Sequence, residues 1–200
     1  TDKNGELTVP EVEQTERHGV YIVGYTDGTF GPSRSMTRSE AAAIFARLLA
    51  EKNGDAISTA ANTKFADIPA HAWYSGYVKY LSNNGITYGK SKTVFAPNDA
   101  ITRAEFTTMA VRFFDVYGDG DAEIMEQFSG FNDVSSGYWA AEYIKYAALH
   151  GWINGYGDGS FHADREINRA EVVTIVNRLL GREADEDYIA DNPRKLNTFP

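Results

Sequence analysis

The chain has 200 residues, no cysteine and a formal net charge of −9. Its acidic balance argues against nucleic acid and anionic lipid as partners, because binding to phosphate groups depends on basic patches. The lack of cysteine excludes a disulfide scaffold and a zinc–thiolate site. No apolar run approaches the roughly 18 residues of a membrane span, and no signal peptide opens the chain. We therefore expect no membrane insertion, in either a cytosolic protein or an excised piece of a secreted one.

The first residues of the chain partly match a calcium-binding loop. The matching positions of an EF-hand loop are Asp2, Asn4, Gly5, Leu7, Thr8 and Glu11. The first ligand position would precede Thr1, and Pro10 stands just before the last ligand. The four histidines form no close pair of metal ligands. The sequence therefore predicts no metal site and no cofactor.

A four-residue phrase then occurs three times at nearly constant spacing. It reads TRSE at Thr37–Glu40, TRAE at Thr102–Glu105 and NRAE at Asn168–Glu171. Three copies of one unit predict a single three-repeat module, since units of this size are too interdependent to be separate domains. We place repeat 1, lacking its first helix, at 1–64, repeat 2 at 65–130 and repeat 3 at 131–181. Residues 182–200 are interpreted as an acidic linker and the start of a truncated further helix segment.

The elements of each repeat follow in a fixed order, and the predicted fold class is mainly α. A first helix runs roughly from Trp73 to Asn84 in repeat 2 and from Trp139 to His150 in repeat 3, and a glycine suited to a left-handed conformation ends it. A short hairpin is predicted next, at 22–30, 87–95 and 153–161. A second helix begins at the repeated phrase and is apolar on most sides, so three such helices are expected to form a central bundle.

The repeated phrase combines a helix cap with an unexpected cation. Threonine or asparagine at the N-cap and glutamate three residues later form a capping box. The arginine between them faces the positive end of the helix dipole, which is unfavourable. These arginines are Arg38, Arg103 and Arg169. Each either binds a carboxylate or phosphate together with free amides of the helix N-terminus, or pairs with an acidic residue of the neighbouring repeat. The sequence leaves both interpretations open.

Two further sets of residues recur with the repeats. Asp67 and Asp133 with Trp73 and Trp139 are either turn and core residues or a surface on which a sugar stacks and donates its hydroxyl hydrogens. A second row of arginines lies nine positions after the first, on the buried helices, where structural ion pairs are expected. This second row consists of Arg47, Arg112 and Arg178.

The ordered motif resembles the S-layer homology domain in three tandem copies, from Glu11 to Leu180. It comprises F-x-D…W, then G-Y-x-D-G-[TS]-F-x-P, then T-R-[AS]-E before an apolar helix. The resemblance implies a secreted bacterial surface protein of Gram-positive type, in which grooves between pseudo-threefold repeats bind a peptidoglycan-linked secondary cell wall polysaccharide. The ligand it implies is a pyruvylated N-acetylmannosamine.

The resemblance also implies roles for individual residues. The first-row arginines would hold the ketal carboxylate, and the tryptophans and aspartates would line the sugar. The candidate site also includes the glycines that open the aligned segments, which are Gly24, Gly89 and Gly155. Repeat 1 lacks its own Trp and Asp, so at most two sites are expected to be competent. Repeat 2 has Lys90 and Lys92 where the others carry Tyr and Asp, which predicts a more cationic groove wall.

The sequence therefore predicts a non-catalytic anchor that binds cell-wall polysaccharide. The alternatives are a self-assembly module of a surface layer and, less favoured, a glycosidase with a carboxylate pair. Hydrolysis needs one asymmetric pair, whereas the recurring residues occupy three equivalent places. Because the cap does not need the arginine, Arg103→Ala and Arg169→Ala are expected to fold but to bind less tightly.

Overall fold

The computed structural model describes residues 20–118 and 128–182. In these ranges the chain forms helices and no strand, so the mainly α fold class is confirmed. The helices are α1 Arg38–Asn53, α2 Ser75–Asn83, α3 Arg103–Tyr117, α4 Ala141–Leu149 and α5 Arg169–Leu179. None of them is both long and apolar enough to cross a membrane. The EF-hand-like stretch, and the linker beyond Arg182, lie outside the described residues.

The helices α1, α3 and α5 begin where the repeated phrase predicts. Their N-caps are Thr37, Thr102 and Asn168, and each carries a complete capping box with the glutamate three residues later. The side chain of each cap accepts from the amide of that glutamate, whose carboxylate accepts from the amide of the cap. The capping interpretation is confirmed in all three repeats, including the asparagine variant.

The helices α2 and α4 begin two residues later than predicted. In repeat 2 the chain makes two turns first, in which Ala72 N donates to Pro69 O and Ser75 N to Ala72 O. These turns leave the tryptophan before each helix outside the regular structure. Both helices end as expected at a left-handed glycine, with φ of 74° at Gly85 and 68° at Gly151.

The predicted hairpins are tight turns without strands in the described part of the chain. Each is closed by a 2.8 Å hydrogen bond across the turn, such as Lys90 N to Val94 O. The pairing stops there because the next amides donate elsewhere. In repeat 2 the amide of Phe95 donates to the carboxylate of Asp67, and in repeat 3 Phe161 donates to Asp133.

A closed ring of backbone hydrogen bonds joins the repeats around one axis. Met36 N donates to Ile167 O, Ile167 N to Ile101 O, and Ile101 N to Met36 O, at 2.9–3.0 Å. The three side chains are fully buried. Because each repeat donates to one neighbour and accepts from the other, the arrangement is an approximate threefold.

The central bundle formed by α1, α3 and α5 is confirmed, and α2, α4 and the turns pack against it in one hydrophobic core. Phe45 of α1 lies 5.2 Å from Phe106 and 5.0 Å from Phe113 of α3 between ring centroids. Most side chains of α1 are buried, on nearly every face of the helix. The bundle therefore fixes the N-termini of the three helices close to the axis, where the repeats meet.

Candidate functional site

The amides at the N-termini of the central helices are already bonded. Arg38 N and Ser39 N donate to the carbonyls of Asp99 and Pro97, both at 3.0 Å. The same pair of bonds caps α3 with the loop of repeat 3 and α5 with the loop of repeat 1. The free amides that an anion site at the helix N-terminus requires are therefore absent at these positions, because each loop caps the helix of another repeat.

The arginines of the repeated phrase are buried between repeats. Arg38, Arg103 and Arg169 are 4%, 5% and 2% exposed. Each Nε donates to a phenylalanine carbonyl of the repeat that follows around the ring. The guanidinium of each also pairs with the capping-box glutamate of that repeat. The pairs are Arg38–Glu105 at 3.0 Å, Arg103–Glu171 at 3.0 Å and Arg169–Glu40 at 3.8 Å.

Each arginine therefore pairs with an acidic residue of the neighbouring repeat, which is one of the two interpretations that the sequence left open. The arginine opposes the dipole of its own helix, but it lies against a carboxylate and a carbonyl of the next repeat. Burial lowers the pKa of Arg103, while Tyr156 and Glu171 act to raise it. A guanidinium keeps its proton in proteins, so the pair stays charged and joins the repeats.

Three equivalent clefts lie at the junctions, each built from several repeats. Groove A is lined by Gly24, Glu40, Arg47, Trp73 and Arg169. Groove B is lined by the equivalent residues Gly89, Glu105, Arg112, Trp139 and Arg38. Groove C is lined by Gly155, Glu171, Arg178 and Arg103. In each groove the buried arginine comes from one repeat and the glycine and glutamate from the next, and in grooves A and B the tryptophan comes from the third.

The tryptophans stand on the rims of grooves A and B and are not core residues. Trp73 is 54% exposed and Trp139 is 56% exposed. Trp73 packs by its edge on Tyr74 and Tyr77, with ring centroids 5.4 and 6.3 Å away. A large aromatic face held open to solvent is unusual for a folded protein and favours a binding surface. The core-packing interpretation of these residues is therefore wrong.

The aspartates are not brought into the grooves. Both oxygens of Asp67 accept from the backbone of Phe95 and Ala96, and Asp133 accepts from Phe161 and His162 at 2.7 Å. Burial acts to raise the pKa of Asp133, but these amides outweigh it and hold the pKa below its usual value. The carboxylates stabilise the turn behind the grooves, as the structural interpretation of these residues holds.

The glycines line the grooves for a steric reason. A Cβ on Gly89 would lie 2.4 Å from Cε1 of Phe65, and a Cβ on Gly155 would lie 2.4 Å from Cε1 of Phe131. Gly89 also has φ of 79°. Only glycine lets the turn close on the phenylalanine ring of its own repeat. Gly24 lines groove A in the equivalent place.

The second row of arginines was misjudged from the sequence. Structural ion pairs were expected, but in the described parts of the chain no carboxylate pairs with Arg47, Arg112 or Arg178. Arg47 lies over the ring of Tyr77 at 5.0 Å, and Arg112 lies between Tyr88 at 4.7 Å and Tyr143 at 4.9 Å. The spacing indicates that these arginines lie on the same helix face as the capping-box glutamates, because residues seven apart, such as Glu40 and Arg47, share one face.

Groove B has a different polar wall from groove A, and the additional cation there, Lys90, is paired with carboxylates. The ammonium of Lys90 lies 3.4 Å from Asp99 and 3.9 Å from Glu105. In groove A the equivalent of Lys90 is Tyr25, whose ring lies 4.7 Å from the guanidinium of Arg169. The predicted difference between the groove walls is therefore present as a different set of contacts around the same central ion pair.

Groove C is the most open of the three. It encloses about 360 Å³, against about 160 Å³ for groove A and 90 Å³ for groove B. Its lining includes Trp152, but this side chain is only 3% exposed and belongs to the core. The solvent-exposed tryptophan that grooves A and B share is therefore not found among the described lining residues of groove C.

The family model of the S-layer homology domain matches three stretches of the sequence, at residues 8–42, 64–107 and 130–173. These stretches contain the capping boxes, the buried arginines and the rim tryptophans. The chain belongs to the S-layer homology domain family. The three-repeat organisation deduced from the spacing of the arginines is the organisation of the family matches.

Curated relatives of this S-layer homology module agree with the assignment. It is 36% identical over 82% of its length to "Cell surface glycoprotein 1" of Acetivibrio thermocellus, and 33% identical over 87% to the "Cellulosome-anchoring protein" of the same organism. It is 32% identical over 80% to the "Surface-layer 125 kDa protein" of Lysinibacillus sphaericus. Other relatives carry the names of enzymes.

The matched region is a small part of these proteins. It spans 7% of the glycoprotein, 38% of the anchoring protein and 13% of the surface-layer protein. The similarity of these relatives to this chain is therefore confined to the region that matches the three repeats. The chain is a module of a secreted protein of the bacterial cell surface.

Proposed function

We propose that the module anchors its protein to the cell wall by binding an anionic secondary cell wall polysaccharide in grooves A and B, without catalysis. The observation that carries the proposal is the recurrence of one constellation in two clefts. Each combines an exposed tryptophan face, a glycine floor and arginine side chains. The name of the cellulosome-anchoring relative supports an anchoring role.

The ligand that fits this constellation is a sugar with a carboxylate, such as a pyruvylated N-acetylmannosamine. The tryptophan stacks on the C–H face of the ring. Guanidinium groups pair with carboxylates through two parallel N–H bonds. Arg169 in groove A and Arg38 in groove B form the inner polar wall, and Arg103 does so in groove C. Asp67 and Asp133 act from outside the grooves by holding the turns.

Catalysis is disfavoured by the carboxylates of the grooves. Glycoside hydrolysis uses two carboxyl groups about 5–10 Å apart. The described lining of each groove contains one carboxylate, Glu40, Glu105 or Glu171, and that group is bonded to its own helix cap and to an arginine. Enzyme-named relatives are therefore consistent with this module anchoring a separate catalytic part.

Binding to purified wall polymer tests the proposal. The intact chain is titrated with pyruvylated polymer and with the same polymer after removal of the ketal. We expect binding to the first and strongly weakened binding to the second, with no release of reducing sugar from either. Equal binding to both polymers would refute the anionic ligand, and turnover would refute the non-catalytic anchor. Concentration-dependent association of the chain without polymer would instead support self-assembly.

A further inference from the structure

We propose that Arg47 and Arg112 make the charge contact with the ligand of grooves A and B. The inference rests on the proposed function, because it assigns the cation that recognises the anionic group of the bound polysaccharide. It concerns the second row of arginines, which the repeated phrase does not contain.

Charge balance singles out this row. In groove A the buried Arg169 faces Glu40, and in groove B the buried Arg38 faces Glu105. Each of these pairs has no net charge, and a carboxylate ligand placed there competes with a glutamate that is already bonded. Arg47 and Arg112 have no such partner among the described residues. Among the described residues, the uncompensated positive charge in the lining of grooves A and B is therefore the second-row arginine.

The donors of these arginines are also available. Arg47 donates from Nη1 to the carbonyl of Tyr21 at 3.2 Å, and Arg112 donates from Nε and Nη2 to the hydroxyl of Tyr143. No described residue accepts from the remaining amino group of either guanidinium. A guanidinium carries five N–H donors in one plane, so each retains an edge for a carboxylate.

Aromatic rings hold these guanidinium groups in place without neutralising them. Arg112 lies between two tyrosine rings, and Arg47 lies over Tyr77. The attraction of a cation to a ring face leaves the full charge and the edge of the plane free. A fixed, charged and unpaired donor costs little entropy when a ligand binds, which is the property of a built recognition group.

The position along the groove matches a ligand that also contacts the tryptophan. Tyr77 lies beside Trp73 on one side and beneath Arg47 on the other. Arg47 is two turns beyond Glu40 on α1, about 10 Å along the helix axis. A sugar stacked on Trp73 therefore places a carboxylate substituent next to Arg47, at the end of the groove away from the buried Arg169.

A double-mutant cycle between protein and ligand tests the assignment. The intact chain and the Arg47→Gln/Arg112→Gln variant are each titrated with pyruvylated polymer and with the same polymer after methyl esterification of its carboxylates. For the intact chain we expect esterification to weaken binding about 10- to 150-fold, the effect of one charged contact. For the variant we expect a loss of that size with native polymer and no further loss on esterification.

The controls separate charge recognition from folding and from the proposed function. Arg178→Gln changes the same row in groove C, whose described tryptophan is buried, and we expect native affinity. Arg47→Lys/Arg112→Lys keeps the charges and should retain part of the esterification effect, which a structural role alone would not produce. A variant that still shows the full esterification effect would overturn the inference and leave the proposed function intact. Failure of the intact chain to bind either polymer would overturn both.

Discussion

Arg103 shows how one buried residue joins two repeats. Its guanidinium donates to the carbonyl of Phe161 and to Glu171, and the guanidinium carbon lies over the Phe161 ring, 4.5 Å from its centroid. The cap of α3 does not use it. The residue nevertheless holds the capping glutamate of α5 from the opposite side, so its loss affects the junction between repeats.

We expect Arg103→Ala to lower the free energy of unfolding by about 1–3 kcal/mol, because the carbonyl of Phe161 loses its donor and the partly exposed Glu171 keeps only Arg165 as a charged partner. This replaces the sequence-based expectation that folding is unaffected. Urea denaturation followed by circular dichroism measures the change. Arg178→Ala is the matched control, since Arg178 is exposed, and should stay within about 0.5 kcal/mol of the parent chain. Equal stability of the two variants would contradict the inter-repeat role.

We expect His150 to make the free energy of unfolding decrease at acidic pH. Its ring stacks on Trp152 at 5.0 Å, and Nδ1 is buried without a hydrogen-bond partner in the described structure. Burial lowers its pKa. The unfolded chain binds a proton near pH 6.5 while the folded chain does not, so stability falls as the pH drops from 6.5 towards the lowered pKa.

Thermal melts between pH 7.5 and 5 measure this effect. We expect the parent chain to lose stability over that range and His150→Gln to lose less, because glutamine does not titrate. The same pH slope in both proteins would show that other groups are responsible.

At the level of elements, the turn behind each groove carries backbone strain in two repeats. Ala96 has φ of 58° and His162 has φ of 55°, whereas the equivalent position in repeat 1 is Gly31 with φ of 61°. This left-handed conformation is unfavourable for a residue with a side chain. The hydrogen bonds that the backbone amides of Ala96 and His162 donate to Asp67 and Asp133 stabilise it.

We therefore expect Ala96→Gly to raise the free energy of unfolding by about 0.5–1 kcal/mol, since relief of the left-handed strain exceeds the entropy cost of glycine. Chemical denaturation gives the value. Ala100→Gly, in the same loop but without a positive φ, is the control and should not stabilise the protein. Destabilisation by Ala96→Gly would mean that the strain is not released.

The sequence predicted well those features of the helices that depend only on residues close in the chain. The capping boxes and the left-handed Gly85 and Gly151 follow from neighbouring residues, and the structure confirms them. The late start of α2 and the partners of Arg38 and Asp67 depend on residues from other parts of the chain. The contact of Arg47 was missed for the same reason, because its aromatic partner, Tyr77, belongs to another repeat.

At the scale of the whole molecule, the ring of bonds among Met36, Ile101 and Ile167 makes the three repeats one unit. Each repeat caps and pairs with its neighbours, so no repeat keeps its polar groups satisfied alone. We expect one cooperative unfolding transition, with coincident loss of far-UV and near-UV circular dichroism. Separate transitions for the repeats would contradict this interdependence.

The three grooves differ in structure, because exposed tryptophans line grooves A and B while the described tryptophan of groove C, Trp152, is buried. On the proposed function, grooves A and B each bind one terminal sugar of the wall polymer. Calorimetric titration with the isolated pyruvylated sugar measures the number of sites directly. We expect two sites per chain, one lost in Trp73→Ala and the other in Trp139→Ala, with folding unchanged. Two sites that persist in the double variant would contradict it.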